Sequence, residues 1–400
     1  MKKIMANPRN LSEVSMENRR DIKSIAFLSK STNRTAIARI TGLSFPVVTK
    51  NINELIALGF LRENSTPQKR KGSGRIAAEI EVNPDYGWSI GFELGPYRIM
   101  VTVMDAAGKE EESLVLSNGI PERYEDLLCL LSSFIGTERS KRKGRLLGVG
   151  ISSPGCNEEM PGCLYRFDYP DWDGHDIERD LSKASGVPVL LMNNVSAMAL
   201  YYNLTNDLED GHYAFFFAYR GIASVEFDHF SNGLGNRINR SGQVGHMVME
   251  LGGDACPSCG NHGCLESISS EPAIYGKCLD WLRKNGEGTE GVSFEDILER
   301  RKKDKRCFKE VFDRAFIFLG VAIANIQNYC HVRKMVISSR IIQDDEDFGF
   351  IEEVVRDNLL AAKYIRMEFV REGHDLYYGS RSAAFCFLYD QYVGIGERLL

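Results

Sequence analysis

The run Asn33-Arg34-Thr35-Ala36-Ile37-Ala38-Arg39-Ile40-Thr41-Gly42-Leu43-Ser44-Phe45-Pro46-Val47-Val48-Thr49-Lys50-Asn51-Ile52-Asn53-Glu54-Leu55-Ile56 reads as two helices joined by a forced turn. Ser31, Thr32 and Asn33 offer a cap for the first, and Gly42 takes the left-handed conformation that reverses the chain. Ser44 caps the second, whose first turn tolerates Pro46. Val47, Val48, Ile52, Leu55 and Ile56 give this helix an apolar face, and an amphipathic helix from about Ser15 to Lys30 precedes the pair. This is helix-turn-helix spacing. A helical docking module could share the apolar pattern, but it would not need Thr49, Lys50, Asn51 and Asn53 exposed on the opposite face. Those side chains, with Arg34 and Ser44 at the helix starts, suit phosphates and base edges. Beyond Gly59-Phe60-Leu61 come a polar stretch with Lys69, Arg70, Lys71 and Arg75 and the strand-like Ile76 to Val82, which fit a β-wing with a basic tip. The expectation is a winged helix-turn-helix over residues 1–85 that places its third helix, from about Phe45 to Leu58, in the major groove. Its partner is a double-stranded DNA operator, read by two copies as an inverted repeat.

Charge supports the division. Residues 1–85 hold 15 Lys and Arg against 8 Asp and Glu, whereas the remaining 34 and 47 give a net −13. A basic module joined to an acidic body fits a nucleic-acid reader attached to a domain with no reason of its own to approach phosphate. With 43% hydrophobic and 26% charged residues, disordered, collagen-like and low-complexity chains are excluded. No apolar run approaches the roughly 20 residues a membrane span needs. Nothing after Met1-Lys2-Lys3-Ile4-Met5 resembles a signal peptide, so a cytoplasmic location and no membrane partner are expected.

After Asn83-Pro84-Asp85-Tyr86-Gly87 strands alternate with helices. Trp88 to Leu94, Arg98 to Met104, Leu146 to Ser152 and Val187 to Met192 read as strands, with a helix from Tyr124 to Ile135. Tyr213 to Tyr219, Ile222 to Asp228 and Lys334 to Ser338 repeat the theme beside a long helix from about Phe308 to Cys330. Two α/β lobes are implied. The first is placed at 86–195, completed by a C-terminal helix in 380–400, and the second at 196–379.

Ten cysteines would indicate a disulfide scaffold only in a much shorter chain, and seven of them are scattered singly. Cys256-x2-Cys259-x4-Cys264 with His246 upstream offers three soft thiolates and an imidazole, a set suited to a closed, structural tetrahedral Zn2+. The glycines 252, 253, 260 and 263 make that segment costly to order without a clip.

With these motifs in view, the chain resembles the ROK family of repressors, open reading frames and sugar kinases, from about Met16 to the C-terminus. The carrying residues are Ile37 to Ser44, Gly74-Arg75, Gly150-Ile151-Ser152-Ser153-Pro154-Gly155, and Gly245-His246 followed by Cys259-Gly260-Asn261-His262-Gly263-Cys264-Leu265-Glu266. The resemblance implies a winged helix fused to two actin-like, ribonuclease-H-like lobes, a sugar site in the cleft between them, and a homodimer or homotetramer. The family's zinc motif has one residue between its first two cysteines where this chain has Pro257 and Ser258, so His262 is an alternative to Cys256.

The departures from the family pattern bear on catalysis. The family's kinases place an Asp after an Asn at the end of the strand that here ends in Asn193-Asn194, and a carboxamide cannot accept the sugar hydroxyl's proton. The first phosphate loop reads Glu93-Leu94-Gly95-Pro96-Tyr97, the second Ala218-Tyr219-Arg220-Gly221-Ile222-Ala223-Ser224, and the turn near the nucleotide base Ser338-Ser339-Arg340. No ATP binding and no enzyme activity are expected. The sugar contacts implied by resemblance fall on Asp168, Asn193, Asn194, Gln243, His246 and Glu266, which retain polar capacity for a sugar or sugar-derivative effector. The expected function is a transcriptional regulator, most simply a repressor, of carbohydrate genes. A sugar kinase with a divergent site is the alternative.

Overall fold

The computed structural model describes residues 11–64, 78–154, 161–165, 170–232, 234–360, 368–372 and 375–393. The chain opens with three helices, α1 (Leu11–Leu28), α2 (Arg34–Thr41) and α3 (Phe45–Ala57), and a two-stranded antiparallel ribbon, β1 (Leu61–Asn64) and β2 (Glu79–Val82), that pairs Leu61 with Val82. Asn33 caps α2 by accepting the Ala36 N–H at 2.9 Å, and Gly42, at φ 70°, closes it with its own N–H on the Ala38 carbonyl. Ile22, Ile25, Ile37, Val48, Ile52, Leu55 and Ile80 are fully buried where the helices and ribbon meet.

The first lobe follows: β3 (Trp88–Leu94), β4 (Ile99–Asp105), β5 (Glu110–Ser117), α4 (Tyr124–Lys141), β6 (Leu146–Ser153), α5 (Ile177–Ser185), β7 (Val189–Asn193) and α6 (Asn194–Thr205). Its sheet runs β5-β4-β3-β6-β7, antiparallel among the first three strands and parallel from β3 onward. The second lobe comprises β8 (Gly211–Ala218), β9 (Ile222–His229), β10 (Arg237–Gly242), α7 (Leu265–Ser269), α8 (Glu271–Lys284), α9 (Phe294–Lys303), α10 (Lys309–Cys330), β11 (Lys334–Ser338), α11 (Asp345–Asp357) and β12 (Glu368–Glu372). Its sheet order, β10-β9-β8-β11-β12, repeats that of the first. The last α-helix among the described residues is α12 (Tyr378–Leu388), followed by a π-helical turn, Tyr389–Val393. The architecture is α/β with two mixed sheets.

The described residues form two compact units, the first within 1–209, 229–236 and 376–400, the second within 210–228 and 237–375. Residues 196–209, read from sequence as part of the second lobe, therefore pack with the first, because α6 lies against α12 and Cys386 donates to the Ala197 carbonyl. The N-terminal helices join the same unit. Lys23 Nζ donates to the Tyr392 carbonyl at 3.0 Å, Ser24 meets the Tyr389 hydroxyl at 3.2 Å, and Phe27 packs on Phe385 with centroids 5.0 Å apart. The seat of α12 explains Gly91 and Gly150. A Cβ on either would lie 2.0 Å from the Ser380 carbonyl or 2.1 Å from that of Ala383. No described helix is long and apolar enough to cross a membrane.

Candidate metal centre and effector contacts

His246 ends a short turn after β10, and Cys256, Cys259 and Cys264 lie on the loop that leads into α7. Their ligand atoms all fall within 4.8 Å of one another. Cys259 and Cys264 sulfurs are 3.7 Å apart, and the Cys256 sulfur is 3.7 Å from His246 Nδ1. Four ligands about 2.3 Å (sulfur) and 2.0–2.1 Å (nitrogen) from a zinc ion would span edges of about 3.6–3.8 Å, so the donor set fits. Cys256 completes it. His262 is exposed and turns Nδ1 to the Gly253 carbonyl at 3.0 Å instead. Burial pushes the Cys264 thiol up to about 12, whereas a backbone N–H of Asn261 pulls Cys259 down.

Effector-contact candidates occur in both units. In the second, Glu266 is buried, accepts from the Ile222 N–H at 3.3 Å and from the Ser258 hydroxyl, and has one oxygen 3.1 Å from where a Cβ on Gly245 would stand. Glu266 thus adjoins the turn that carries the exposed Gln243 and the half-buried His246. In the first unit, Asn193 caps α6 through its side-chain oxygen, accepting from Val195 and Ser196 at 3.0 and 3.1 Å. Asn194 is half-buried at the first position of α6. Asp168 lies outside the described residues.

Residues of the three segments that depart from the family pattern make contacts of their own. The half-buried Glu93 carboxyl packs against Gly379, with an oxygen 2.3 Å from where a Cβ would be, and burial pushes it up to about 7. The Tyr219 hydroxyl meets Ser338 Oγ at 3.0 Å, and Ser339 donates to the Ala218 carbonyl at 2.6 Å. Arg340 grips both oxygens of Glu271, pairs with Glu295 at 2.7 Å and lies 5.3 Å from the Phe294 ring centre.

On the N-terminal helices, Lys50, Asn53 and Ser44 are exposed on α3 or its cap. The expectation that Asn51 and Thr49 are exposed needs correction. Val48, Asn51, Ile52 and Leu55 form the i, i+3, i+4, i+7 stripe that faces inward, so Asn51 is 5% exposed and donates to the Val47 carbonyl at 2.9 Å. Thr49 borders that stripe with its hydroxyl shielded. Arg34 donates to Asn53 at 2.9 Å and pairs with Glu63 at 2.5 Å. Arg39, which sequence reasoning passed over, is exposed on α2, and like Lys50 it makes no ion pair among the described residues. A second basic residue of α2, after Arg34, among Ile37, Ala38 and Ile40 was the signal. Phe45 is 52% exposed at the start of α3. Lys69, Arg70, Lys71 and Arg75 lie outside the described residues.

Residues 89–374 match the ROK family. The chain belongs to the ROK family. It is 26% identical over 365 residues to a xylose repressor of Caldicellulosiruptor bescii, covering 85% of this chain and 87% of that protein. It is 25% identical over 353 residues to the DNA-binding transcriptional dual regulator NagC of Escherichia coli, covering 86% and 85%. A solved ROK family transcriptional regulator, described as a homologue of the E. coli MLC protein, superposes with a TM-score of 0.74 over 94% of this chain and 98% of its own, at 22% identity. A ROK family glucokinase from Streptomyces griseus, crystallised with glucose and AMPPNP, superposes with 0.61 over 74% and 98%, at 17% identity. The ROK member described here thus shares its fold with regulators and sugar kinases alike.

Proposed function

We propose that this ROK protein is a transcriptional repressor of carbohydrate genes, in which the N-terminal helices and ribbon act as a winged helix-turn-helix and the lobes act as an effector sensor without kinase activity. The observation that carries it is the likeness, over about 85% of each chain, to proteins named as repressors and regulators. The exposed Arg39 of α2 and Lys50 of α3, which make no ion pair among the described residues, support it, since such cations are available to phosphate. Asn53, Ser44 and Arg34 complete the proposed DNA face, with Lys69, Arg70, Lys71 and Arg75 as the wing's phosphate contacts. Two copies, in a cytoplasmic homodimer or homotetramer, read an inverted repeat. Duplex DNA recovered by binding selection on random sequence tests the reading, and recovery of no preferred sequence would remove it.

Each phosphate neutralised contributes about −0.9 to the slope of log affinity against log salt, so Arg39→Ala and Lys50→Ala should each flatten that slope by about 1. A double variant with unchanged operator affinity and slope would displace α2 and α3 from the interface.

Asp168, Asn193, Asn194, Gln243, His246 and Glu266 are the proposed contacts of a sugar-like effector. A zinc ion held by His246, Cys256, Cys259 and Cys264 supplies structural rigidity there. Ligation through His246 Nδ1 fixes the ring and leaves Nε2–H to donate to a hydroxyl. Chemistry is absent on this reading because Asn194 cannot take a proton, Pro96 lacks an amide donor, and the Arg340–Glu271 and Tyr219–Ser338 contacts engage residues of the nucleotide segments. Incubation with ATP and a sugar panel is expected to give no sugar phosphate, from the unaltered chain or from Asn194→Asp. Turnover by the unaltered chain would establish the kinase alternative.

A further inference from the structure

Residues 86–400 are acidic overall, yet Arg139-Ser140-Lys141-Arg142-Lys143-Gly144-Arg145, at the end of α4, carries five basic side chains in seven residues. A helix C-terminus favours some positive charge, and two of the five meet that need locally. Lys141 and Arg142 pair with Glu138 at 2.8 and 2.9 Å, and Arg142 also takes Glu111 and Glu112. Arg139, Lys143 and Arg145 are exposed and make no ion pair among the described residues. In the comparable run from Arg300 to Arg306, in the other unit, Arg300, Arg301, Lys305 and Arg306 pair with carboxylates, while Lys302 and Lys303 are exposed and make no ion pair among the described residues.

Two of these unpaired charges, Arg139 and Arg145, line a concavity, and Lys143 precedes its lining residue Gly144 in the chain. Arg139, Gly144, Arg145, Leu146 and Leu147, with residues 186–188, line an open cavity of about 500 Å³. The cavity sits at the end of the unit that bears the N-terminal helices. The Arg145 carbonyl accepts from the N–H of Trp88, the first residue of β3 after the N-terminal ribbon, at 3.0 Å. Two residues further, the Leu147 carbonyl accepts from the Tyr392 hydroxyl at 3.0 Å, and the Tyr392 carbonyl is the one that holds Lys23 of α1. An acidic lobe repels DNA, whereas this run, two of whose unpaired cations line a cavity, is tied by hydrogen bonds to the start of β3 and, through Tyr392, to α1.

We propose that Arg139, Lys143 and Arg145 form a phosphate-binding site that contacts the DNA backbone flanking the operator half-site. The inference rests on the DNA-binding reading. Its test uses the full chain and two duplexes from the selection, one trimmed to the inverted repeat and one extended by about a helical turn at each end. Arg139→Gln, Lys143→Gln, Arg145→Gln together should leave the thermal midpoint unchanged, since all three are exposed. On the extended duplex the salt slope should fall by about 0.9 for each phosphate released, up to about 2.7 per chain. On the trimmed duplex both proteins should bind alike. Lys302→Gln with Lys303→Gln, exposed positions in the other unit, controls for net charge and should change neither slope. Equal slopes on the extended duplex, or a defect of the same size on both duplexes, would overturn the site while leaving the DNA-binding reading intact. Saturable binding of pyrophosphate that the triple variant loses, together with equal slopes, would reassign the cavity to a free phosphate compound and overturn the DNA assignment. Failure of the unaltered chain to bind any duplex would overturn both readings.

Discussion

Cys264→Ser is expected to reduce bound zinc from about one ion per chain to near zero and to destabilise the loop that joins β10 to α7. Cys264 is fully buried, its strand-like bridge to Val248 anchors the loop, and the Leu265 N–H reaches back to the Met247 carbonyl at 2.9 Å. The other ties of this segment are backbone bonds, such as Met249 N–H to the Gly263 carbonyl at 2.8 Å, and exposed ion pairs of Asp254 with Lys277 and Glu250 with Arg314. Leu251 is 95% exposed, and the chain turns through Gly252, Gly260 and Gly263 at φ between 72° and 75°. Glycine-rich backbone loses more entropy on ordering than any other. In zinc-finger peptides the metal supplies about 10–16 kcal/mol of apparent folding energy, so even a fraction of that dominates a loop with so small an apolar core. A loss of about 3 kcal/mol would lower the thermal midpoint by roughly 6–12 °C for a unit of this size. The check is metal analysis of protein purified without added zinc, followed by thermal unfolding with and without chelator. Zinc near zero in the unaltered protein would remove the metal assignment. Full zinc content in Cys264→Ser would remove Cys264 from the ligand set.

The spacing of His246, Cys256, Cys259 and Cys264 was legible from the sequence because a metal site is a local chemical pattern, and the loop brings its members together over 19 residues. The helix boundaries at Asn33 and Gly42 were legible for a similar reason, since caps act within one turn, whereas Ser44, expected to cap α3, stands at its N-terminus without a side-chain cap bond. Other features were not. Asn51 looked like a groove-facing residue by type, yet its register on α3 turns it inward, and only the stripe it shares with Val48, Ile52 and Leu55 reveals this. The membership of α6 depends on packing against α12, nearly 190 residues away, where sequence periodicity carries no information. The carboxamide at Asn194 could be read from the sequence, but not the ion pair from Arg340 to Glu271, because those partners are 69 residues apart. The unpaired state of Arg139, Lys143 and Arg145 likewise emerged only when the carboxylates of Glu111, Glu112 and Glu138 were seen to be engaged by their neighbours.

Asp347→Ala is expected to destabilise the second unit by about 3–5 kcal/mol, the range for stripping one partner from a buried ion pair. Asp347 and Arg301 are 3% and 4% exposed. Two parallel bonds of 2.6 and 2.7 Å join them, the Gln343 N–H adds a third contact to the carboxylate at 3.0 Å, and the guanidinium lies 4.3 Å from the Phe312 ring centre. Removing the carboxylate leaves a cation in the core that links α9, α10 and α11, with the Gln343 side-chain oxygen at 3.0 Å and the Phe312 and Phe316 rings as its remaining company and no countercharge among the described residues. Replacing both partners by apolar residues, as in Arg301→Met with Asp347→Leu, should recover much of the loss, because the penalty comes from the orphaned charge and not from missing packing. The pair also sets an acid limit. Burial by itself would raise the Asp347 carboxyl, but the hydrogen bonds from Arg301 and Gln343 outweigh it and hold the group below its ordinary range. A carboxyl whose folded value is depressed contributes stability that is fully present above its unfolded value of about 3.9 and is lost as pH falls through the folded one. Chemical unfolding of the unaltered chain should therefore weaken on acidification below about pH 4, and Asp347→Ala should show less of that dependence while being less stable at neutral pH. Equal stability of the two proteins at neutral pH would show that the pair contributes orientation and no net stability to this unit.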